Sequence, residues 1–166
     1  MTTSNKGLWL TRLVLGGLLV FCALGANAAE RKPVCAPAAR AQDEVTAVLR
    51  TLFAAARADD LPGFRALTTP DFYAYDNGAE FAGDALMKLI QQLHAAGKKF
   101  EWNVTEPRVH ASCNLAWITY LNRGAVADAS GRQEMTWLES AVLEYGDGQW
   151  RIHFLHSSRV PKAPPQ

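Results

Sequence analysis

Asp76 and His156 are the two side chains in this sequence that are best suited to proton transfer. Asp76 ends a short apolar segment just before the turn signal Asn77-Gly78, and it shares alternate positions of that segment with Phe72. A carboxylate in an apolar pocket has its charged form disfavoured, which suits it to general acid or base work. The alternative is a local role, in which Asp76 hydrogen-bonds the backbone of the turn.

His156 lies near the end of the last apolar segment, on the alternate positions that also hold Trp150, Ile152 and Phe154. An imidazole that ends an apolar face can shuttle a proton or hold a ligand carbonyl. Ser158 follows on the same face, and we predict that it binds ligand. A buried histidine satisfied by one hydrogen bond explains the same pattern, and the sequence leaves both interpretations open.

Tyr120, Trp137 and Glu139 complete the candidate site as ligand-binding residues on predicted strands. An isolated buried carboxylate is costly, so a Glu139 that faces inward should pair with His156 or with Arg159. A Glu139 on the outer face would need no partner. Both faces of its segment mix apolar and polar residues, so the sequence does not orient it.

Other kinds of site have no signature in the sequence. There is no Gly-rich phosphate loop, no CxxC pair and no Gly-x-Ser-x-Gly elbow. His153 and His156 are three residues apart, which on a regular strand places them on opposite faces and prevents chelation of one ion. We therefore predict no cofactor and no metal.

Three helical patterns and five strand-like segments must position these residues. The helical stripes cover residues 45–56, 61–67 and 86–93, and the strand-like segments cover 71–76, 100–110, 115–126, 133–145 and 149–158. Pro107 predicts an edge strand or a bulge. Helices that precede most of the strands predict an α+β fold, with helices packed on the concave side of a curved antiparallel sheet. Side chains or a ligand must fill the conical space between them.

The first 28 residues have the three regions of a secretory signal peptide. Lys6 and Arg12 precede an apolar run that ends at Leu24, and Ala26-Asn27-Ala28 supplies a small-x-small cleavage site. The run is shorter than the roughly 20 residues that a membrane-spanning helix needs. We expect a periplasmic or secreted protein with an irregular lead-in at 29–41, one domain at 42–160 and a disordered tail at 161–166.

The net charge limits the classes of binding partner, and the cysteines bear on the redox compartment. Loss of Lys6 and Arg12 from the 17 basic residues leaves 15 against 16 acidic ones, a net charge of −1. A near-neutral chain without a basic cluster has no electrostatic footprint for nucleic acid or anionic lipid, and we predict neither partner. Cys35 and Cys113 remain after cleavage; they either pair in an oxidising compartment or stay separate thiols, depending on geometry.

The last two predicted strands resemble those of the NTF2-like superfamily, in particular its SnoaL-like and DUF4440-type members. The resemblance covers residues 42–159 and rests on Trp137-Leu138-Glu139-Ser140, the turn Gly146-Asp147-Gly148 and the segment 150–157. It implies a cone of three N-terminal helices on a strongly curved, mixed or antiparallel sheet, and a homodimer formed through the convex face. It does not imply one activity, because the superfamily holds isomerases, dehydratases, ligand binders and oligomerisation modules.

Relatives of the ketosteroid-isomerase type carry a general-base carboxylate at the position that Asp76 matches by its spacing from Asp60. Their oxyanion-donating tyrosine corresponds to Leu52 here, and leucine cannot donate a hydrogen bond. An isomerase or dehydratase would therefore need Tyr120 or protonated Glu139 as its donor.

Two main hypotheses follow. The first is a protein that binds a small apolar or aromatic molecule in its cone, with or without turnover by Asp76 and His156. The second is a non-catalytic homodimerisation or protein-interaction module. A cavity of about 300 Å³ or more lined by both residues would favour the first, and a cone filled by side chains the second. The sequence leaves open whether the protein is an enzyme.

Overall fold

The computed structural model describes residues 35–36 and 38–161, so the predicted signal peptide and nearly all of the predicted tail lie outside the described residues. A short 3-10 helix at Ala38–Arg40 lies within the segment 29–41, which was expected to be irregular. The helices are α1 Ala41–Arg57, α2 Leu61–Ala66 and α3 Ala85–Ala95. The strands are β1 Thr68–Asp76, β2 Ala79–Ala82, β3 Lys99–Ser112, β4 Leu115–Asp128, β5 Gly131–Gly146 and β6 Gln149–Arg159. The predicted α+β class is confirmed.

The six strands form one mixed sheet in the order β2-β1-β6-β5-β4-β3. All neighbours are antiparallel except β1 and β6, which run parallel. β2, a four-residue strand that pairs with β1 after the Asn77-Gly78 turn, has no counterpart among the predicted segments. β3 is an edge strand and its register with β4 shifts between Thr105 and Arg108, so both alternatives predicted from Pro107, an edge strand or a bulge, are present.

The helices cover one face of the sheet, called the inner face here; the opposite side is the outer face. The predicted stripe of α1 is buried against the inner face at Val45, Leu49, Leu52, Phe53 and Ala56. Asp60 begins α2 as its N-cap, where its Oδ1 accepts a hydrogen bond from the Gly63 amide at 2.9 Å. The core thus lies between α1, α2 and the middle of the sheet.

A disulfide joins Cys35 to Cys113, which lies in the two-residue turn between β3 and β4. The Ala36 amide also donates a hydrogen bond to the Cys113 carbonyl oxygen at 3.0 Å. The bridge spans 78 residues of sequence and ties the segment before α1 to the end of the long β3-β4 hairpin.

Candidate functional site

A β-bulge in β6 decides which side chains of that strand face the helices. Leu143 of β5 pairs with Ile152, but its neighbour Val142 pairs with Phe154, so His153 is an extra residue in β6. An extra residue shifts the alternation of a strand by one position. After the bulge Leu155 and not Phe154 therefore continues the buried face.

The predicted inward positions of Phe154, His156 and Ser158 were wrong for this reason. His156 is exposed on the outer face, opposite Tyr75 of β1. Ser158 lies on the same face, with its hydroxyl 3.5 Å from the carbonyl oxygen of Leu138. Ser157, which the sequence analysis did not select, is buried and takes the inward place.

Polar residues from four adjacent strands form one row across the inner face. Asp76 of β1 is opposite Ser157 of β6, and Ser157 is opposite Glu139 of β5. Glu139 is in turn opposite Tyr120 of β4. The register of the sheet therefore brings Asp76, Glu139 and Tyr120 together, as the sequence analysis proposed, but with Ser157 in place of His156.

Glu139 is the buried centre of this row, with 6% of its surface exposed. The Ser157 hydroxyl donates to its Oε1 at 2.9 Å, and the Asn122 side-chain amide donates to its Oε2 at 3.1 Å. Burial raises the pKa of Glu139 to about 7, against the lowering effect of these hydrogen bonds. The nearby charge of Asp76 raises it further. The predicted pairing with His156 or Arg159 was wrong, because neutral donors satisfy the carboxylate instead.

Tyr120 and Asn122 are buried on β4 beside Glu139. Burial and the charge of Glu139 raise the pKa of Tyr120, so the phenol keeps its proton. The Tyr120 hydroxyl lies close enough to Glu139 for this effect, yet it makes no hydrogen bond of good geometry within the described part of the chain. The Asn122 Oδ1 likewise has no donor among the described residues.

Asp76 is half-buried at the end of β1, where it lines a cavity together with Glu139 and Ser157. Its Oδ1 accepts a hydrogen bond from the side-chain amide of Asn77 at 2.9 Å. The turn therefore holds Asp76 through a side chain, and its carboxylate still reaches the cavity.

The cavity lies between α3 and the inner face and has a volume of about 220 Å³. Its lining is mostly apolar or aromatic, with these members: Phe53, Leu86, Leu89, Ile90, Leu93, Phe100, Trp102, Val126, Trp137 and Leu155. Of the predicted site residues, Asp76, Glu139 and Trp137 line it, Tyr120 lies behind Glu139, and His156 and Ser158 are outside. The criterion set for the ligand-binding hypothesis is not met, because the cavity is smaller than about 300 Å³ and only Asp76 of the two residues lines it. The cavity is nevertheless open, so the alternative of a cone filled by side chains is not met either.

Two cationic side chains complete the lining, Lys98 just before β3 and Arg159 at the end of β6. Lys98 is already paired, with its Nζ 3.0 Å from Asp128 Oδ2. Arg159 is exposed. The cavity thus has carboxylates on its inner wall and positive charge at its edge.

Residues 35–36 and 38–161 contain neither a candidate metal site nor a candidate membrane-spanning helix. No three His, Cys, Asp or Glu side chains there are grouped to hold a metal ion. None of the helices is both long and apolar enough to cross a bilayer.

Sequence reasoning also missed Asn122 and Ser157. Asn122 had a usable signal, because it continues the period-two series Ala116, Ile118 and Tyr120 on β4 and is its polar member. Ser157 had none, because an extra residue in a strand cannot be read from alternation alone.

Comparison with known proteins agrees with this architecture. A family model described as SnoaL-like domain matches residues 45–163. No curated protein sequence matches the chain. Among solved structures, the hub of CaMKII from S. rosetta is 18% identical with a TM-score of 0.64, and the alignment covers 75% of this chain and all of that one.

Two further structures have the same fold at low identity. An NTF2-like protein of unknown function from Pseudomonas putida KT2440 is 23% identical with a TM-score of 0.60, over 74% of this chain and 89% of that one. The association domain of C. elegans CaMKII is 20% identical with a TM-score of 0.61, over 72% and 95%. The fold is therefore NTF2-like, and the chain belongs to the SnoaL-like domain family.

Proposed function

We propose that this protein binds a small molecule with an apolar or aromatic body and one polar group in the cavity beneath α3. The observation that carries the proposal is the distribution of polarity in the cavity. Its polar residues are confined to two places: Asp76, Asn77, Glu139 and Ser157 on the inner wall, and the cations Lys98 and Arg159 at the edge. The rest of the wall is apolar or aromatic. A concave apolar site with a few convergent polar groups is the usual form of a small-molecule site.

The size of the cavity limits the ligand. An apolar cavity of about 150 Å³ accommodates benzene. At about 220 Å³, this cavity suits one ring with a short substituent. The aromatic side chains Phe53, Trp102 and Trp137 line the space for that ring, and the polar row supports the substituent.

Proton transfer at this site would depend on Glu139 and Asp76, since His156 is outside the cavity. Glu139 has a pKa of about 7, which lets it give or take a proton near neutral pH. Leu52 is buried in the core and offers no donor, so the isomerase or dehydratase hypothesis depends on Tyr120 or protonated Glu139.

A thermal-shift panel of small uncharged aromatic compounds, among them benzaldehyde, acetophenone and phenol, tests the proposal. We expect hits that raise Tm. Ile90→Trp fills the cavity from α3 and should abolish them, whereas His156→Ala, on the outer face, should leave them unchanged. Hits that survive Ile90→Trp or disappear in His156→Ala would contradict the assignment of the site.

A second candidate function is association with a second copy of the chain through the outer face. An apolar row crosses this face at one register, formed by Trp117, Val142, Phe154 and Tyr73. Trp117, on β4, is 46% exposed. A contiguous apolar surface of this kind is typical of an interaction site. The structures described as a hub and an association domain support an assembly role for this fold.

Sedimentation equilibrium tests this second function. We expect a dimer that Trp117→Glu converts to a monomer, because a charge would enter the apolar row. Thr51→Glu on the exposed side of α1 is the matched control and should remain dimeric. A wild-type chain that is monomeric at about 100 μM would remove the proposal, since stable homodimers have dissociation constants far below that.

Export to an oxidising compartment is part of the proposed function. The disulfide between Cys35 and Cys113 supports it, because structural disulfides form and persist in such compartments. The mass of the protein recovered from the periplasm or the medium should correspond to a chain that begins at Ala29. An intact N-terminus in that fraction would contradict cleavage.

A further inference from the structure

We propose that the ligand of this cavity is a protonated amine, held by its ammonium group between Asp76 and Glu139 and by its apolar body among the aromatic side chains. The inference depends on the proposed ligand-binding function and adds the chemical class of the ligand. Its basis is the unbalanced charge and the surplus of hydrogen-bond acceptors on the inner wall.

The first observation is a buried carboxylate without a counter-charge. Glu139 forms no ion pair within the described part of the chain, and its two hydrogen bonds come from the neutral side chains of Ser157 and Asn122. Asp76 places a second carboxylate on the same wall. The charge of Asp76 disfavours the ionised form of Glu139, and a cation placed between the two carboxylates removes that cost.

The second observation concerns hydrogen bonds. A carboxylate offers about four acceptor positions, and Glu139 uses two of them. Asp76, the second carboxylate of the lining, accepts one side-chain hydrogen bond, from Asn77. An ammonium group brings three donors and no acceptor, whereas a carbonyl brings only acceptors. The wall therefore matches an ammonium group better than a carbonyl.

The third observation is the ring of aromatic side chains. Phe100 and Trp102 are stacked with their ring centres 5.0 Å apart, and Phe53 lies 5.6 Å from Trp102. All three line the cavity together with Trp137. Aromatic faces attract cations, most strongly where water is excluded. They also pack against the apolar body of an amine.

The cations near the cavity do not cancel this preference. The charged or titratable groups that face Glu139 or line the cavity are Asp76 on β1, Tyr120 on β4, Arg159 on β6 and Lys98 before β3. α1 and α3 contribute only apolar side chains to the lining. Asp128 neutralises Lys98, and the exposed Arg159 is screened by water. The inner wall thus retains its negative charge.

Amine binding is linked to protonation. A cation beside Glu139 lowers its pKa from about 7, so binding below pH 7 releases a proton from Glu139. Affinity should therefore rise between pH 6 and about pH 8, where the carboxylate is ionised and a primary amine keeps its proton. A neutral ligand that accepts a hydrogen bond from protonated Glu139 would show the opposite trend.

Calorimetric titration with benzylamine, benzyl alcohol and benzoate at pH 8 tests the proposal, because the three compounds share one ring and differ in charge. We expect benzylamine to bind about tenfold or more tighter than benzyl alcohol, and benzoate not to bind. Glu139→Gln should lower the affinity for benzylamine about tenfold or more and change the affinity for benzyl alcohol by less than about threefold. Ser158→Ala, on the outer face, should change neither affinity.

Arg159→Gln tests which sign of charge the site prefers. Removal of the cation at the edge of the cavity should increase the affinity for benzylamine by about two- to threefold. Tighter binding of benzyl alcohol than of benzylamine overturns the amine assignment and leaves the proposed binding function intact. Tighter binding of benzoate, lost in Arg159→Gln, overturns it in favour of an anion site. Binding of none of the three also overturns it, and the uncharged panel then decides the proposed function separately.

Discussion

The hydroxyl of Ser157 donates a hydrogen bond to the carboxylate of Glu139 across the boundary between β6 and β5, at 2.9 Å. The serine is inward only because the bulge at His153 shifts the register of β6. A single extra residue in β6 therefore turns Ser157 inward, where its hydroxyl donates to a buried carboxylate.

The free energy of unfolding should depend on pH through the titration of Glu139. Its pKa is raised in the folded state to about 7, above its ordinary 4.5, so the folded protein binds more protons than the unfolded one between these values. The sign is therefore a loss of stability as pH rises from 4.5 to 7, by about 3 kcal/mol for a shift of this size. Urea unfolding at closely spaced pH values measures it.

Glu139→Gln should remove this dependence and make the protein more stable than the wild type at pH 8. The variant keeps the shape of the side chain without a charge, and Asn122 can turn its Oδ1 to accept from the new amide. An unchanged pH slope in the variant would show that another group causes it.

Ser157→Ala should lower the free energy of unfolding by about 1–2 kcal/mol at pH 8, because it removes a donor from an ionised carboxylate. It should also raise the pKa of Glu139, which NMR titration of the side-chain carboxyl carbon would record. Ser158→Ala is the matched control, since this hydroxyl lies on the outer face, and its effect should stay within about 0.5 kcal/mol. Equal effects of the two changes would contradict the shifted register.

Gly124→Ala should destabilise the protein by about 3 kcal/mol or more, because a Cβ there would lie 1.8 Å from the carbonyl oxygen of Glu101 on β3. Backbone cannot move aside as a flexible side chain can. A Cβ added at Gly146 has no other atom within 4 Å, so Gly146→Ala should change the free energy of unfolding by less than about 0.5 kcal/mol. Chemical unfolding of the two variants compares them directly, and a tolerated Gly124→Ala would contradict the close approach of β3 and β4.

Replacement of both Cys35 and Cys113 by alanine should lower the free energy of unfolding by about 4 kcal/mol, because the bridge closes a long loop in the unfolded chain. The cavity should persist, since Phe100 and Trp102 lie at the other end of β3 from Cys113. Hits from the uncharged panel should therefore bind the double variant with unchanged affinity below its Tm. A loss of affinity in the folded variant would connect the bridge to the site.

Much of the fold followed from periodicity. The stripe of α1 and the bulge at Pro107 were predicted from local chemistry, and the structure has both of them. Such features depend on residues close in sequence, so they can be inferred without tertiary contacts. The short strand β2 could not, because four residues are too few to show an alternating pattern.

In β6, the residues that face the site were predictable only as far as the bulge at His153. Trp150 and Ile152 are buried as alternation predicts, and the phase then changes at His153. The orientation of Glu139 depended on tertiary packing, because both faces of β5 mix polar and apolar residues. Asp76 was placed correctly at the cavity because no irregularity separates it from Phe72 and Ala74 on β1.

α3 lays its apolar side over the cavity, and of its residues only Met87 is fully buried. A helix with so few van der Waals contacts opens at a lower free energy than the rest of the domain. Its amide hydrogens should exchange with solvent faster than those of α1, and an occupant of the cavity should slow them first. Ligand affinity and the local stability of this helix are in that sense thermodynamically linked, and hydrogen exchange can measure the local stability before the natural ligand is identified.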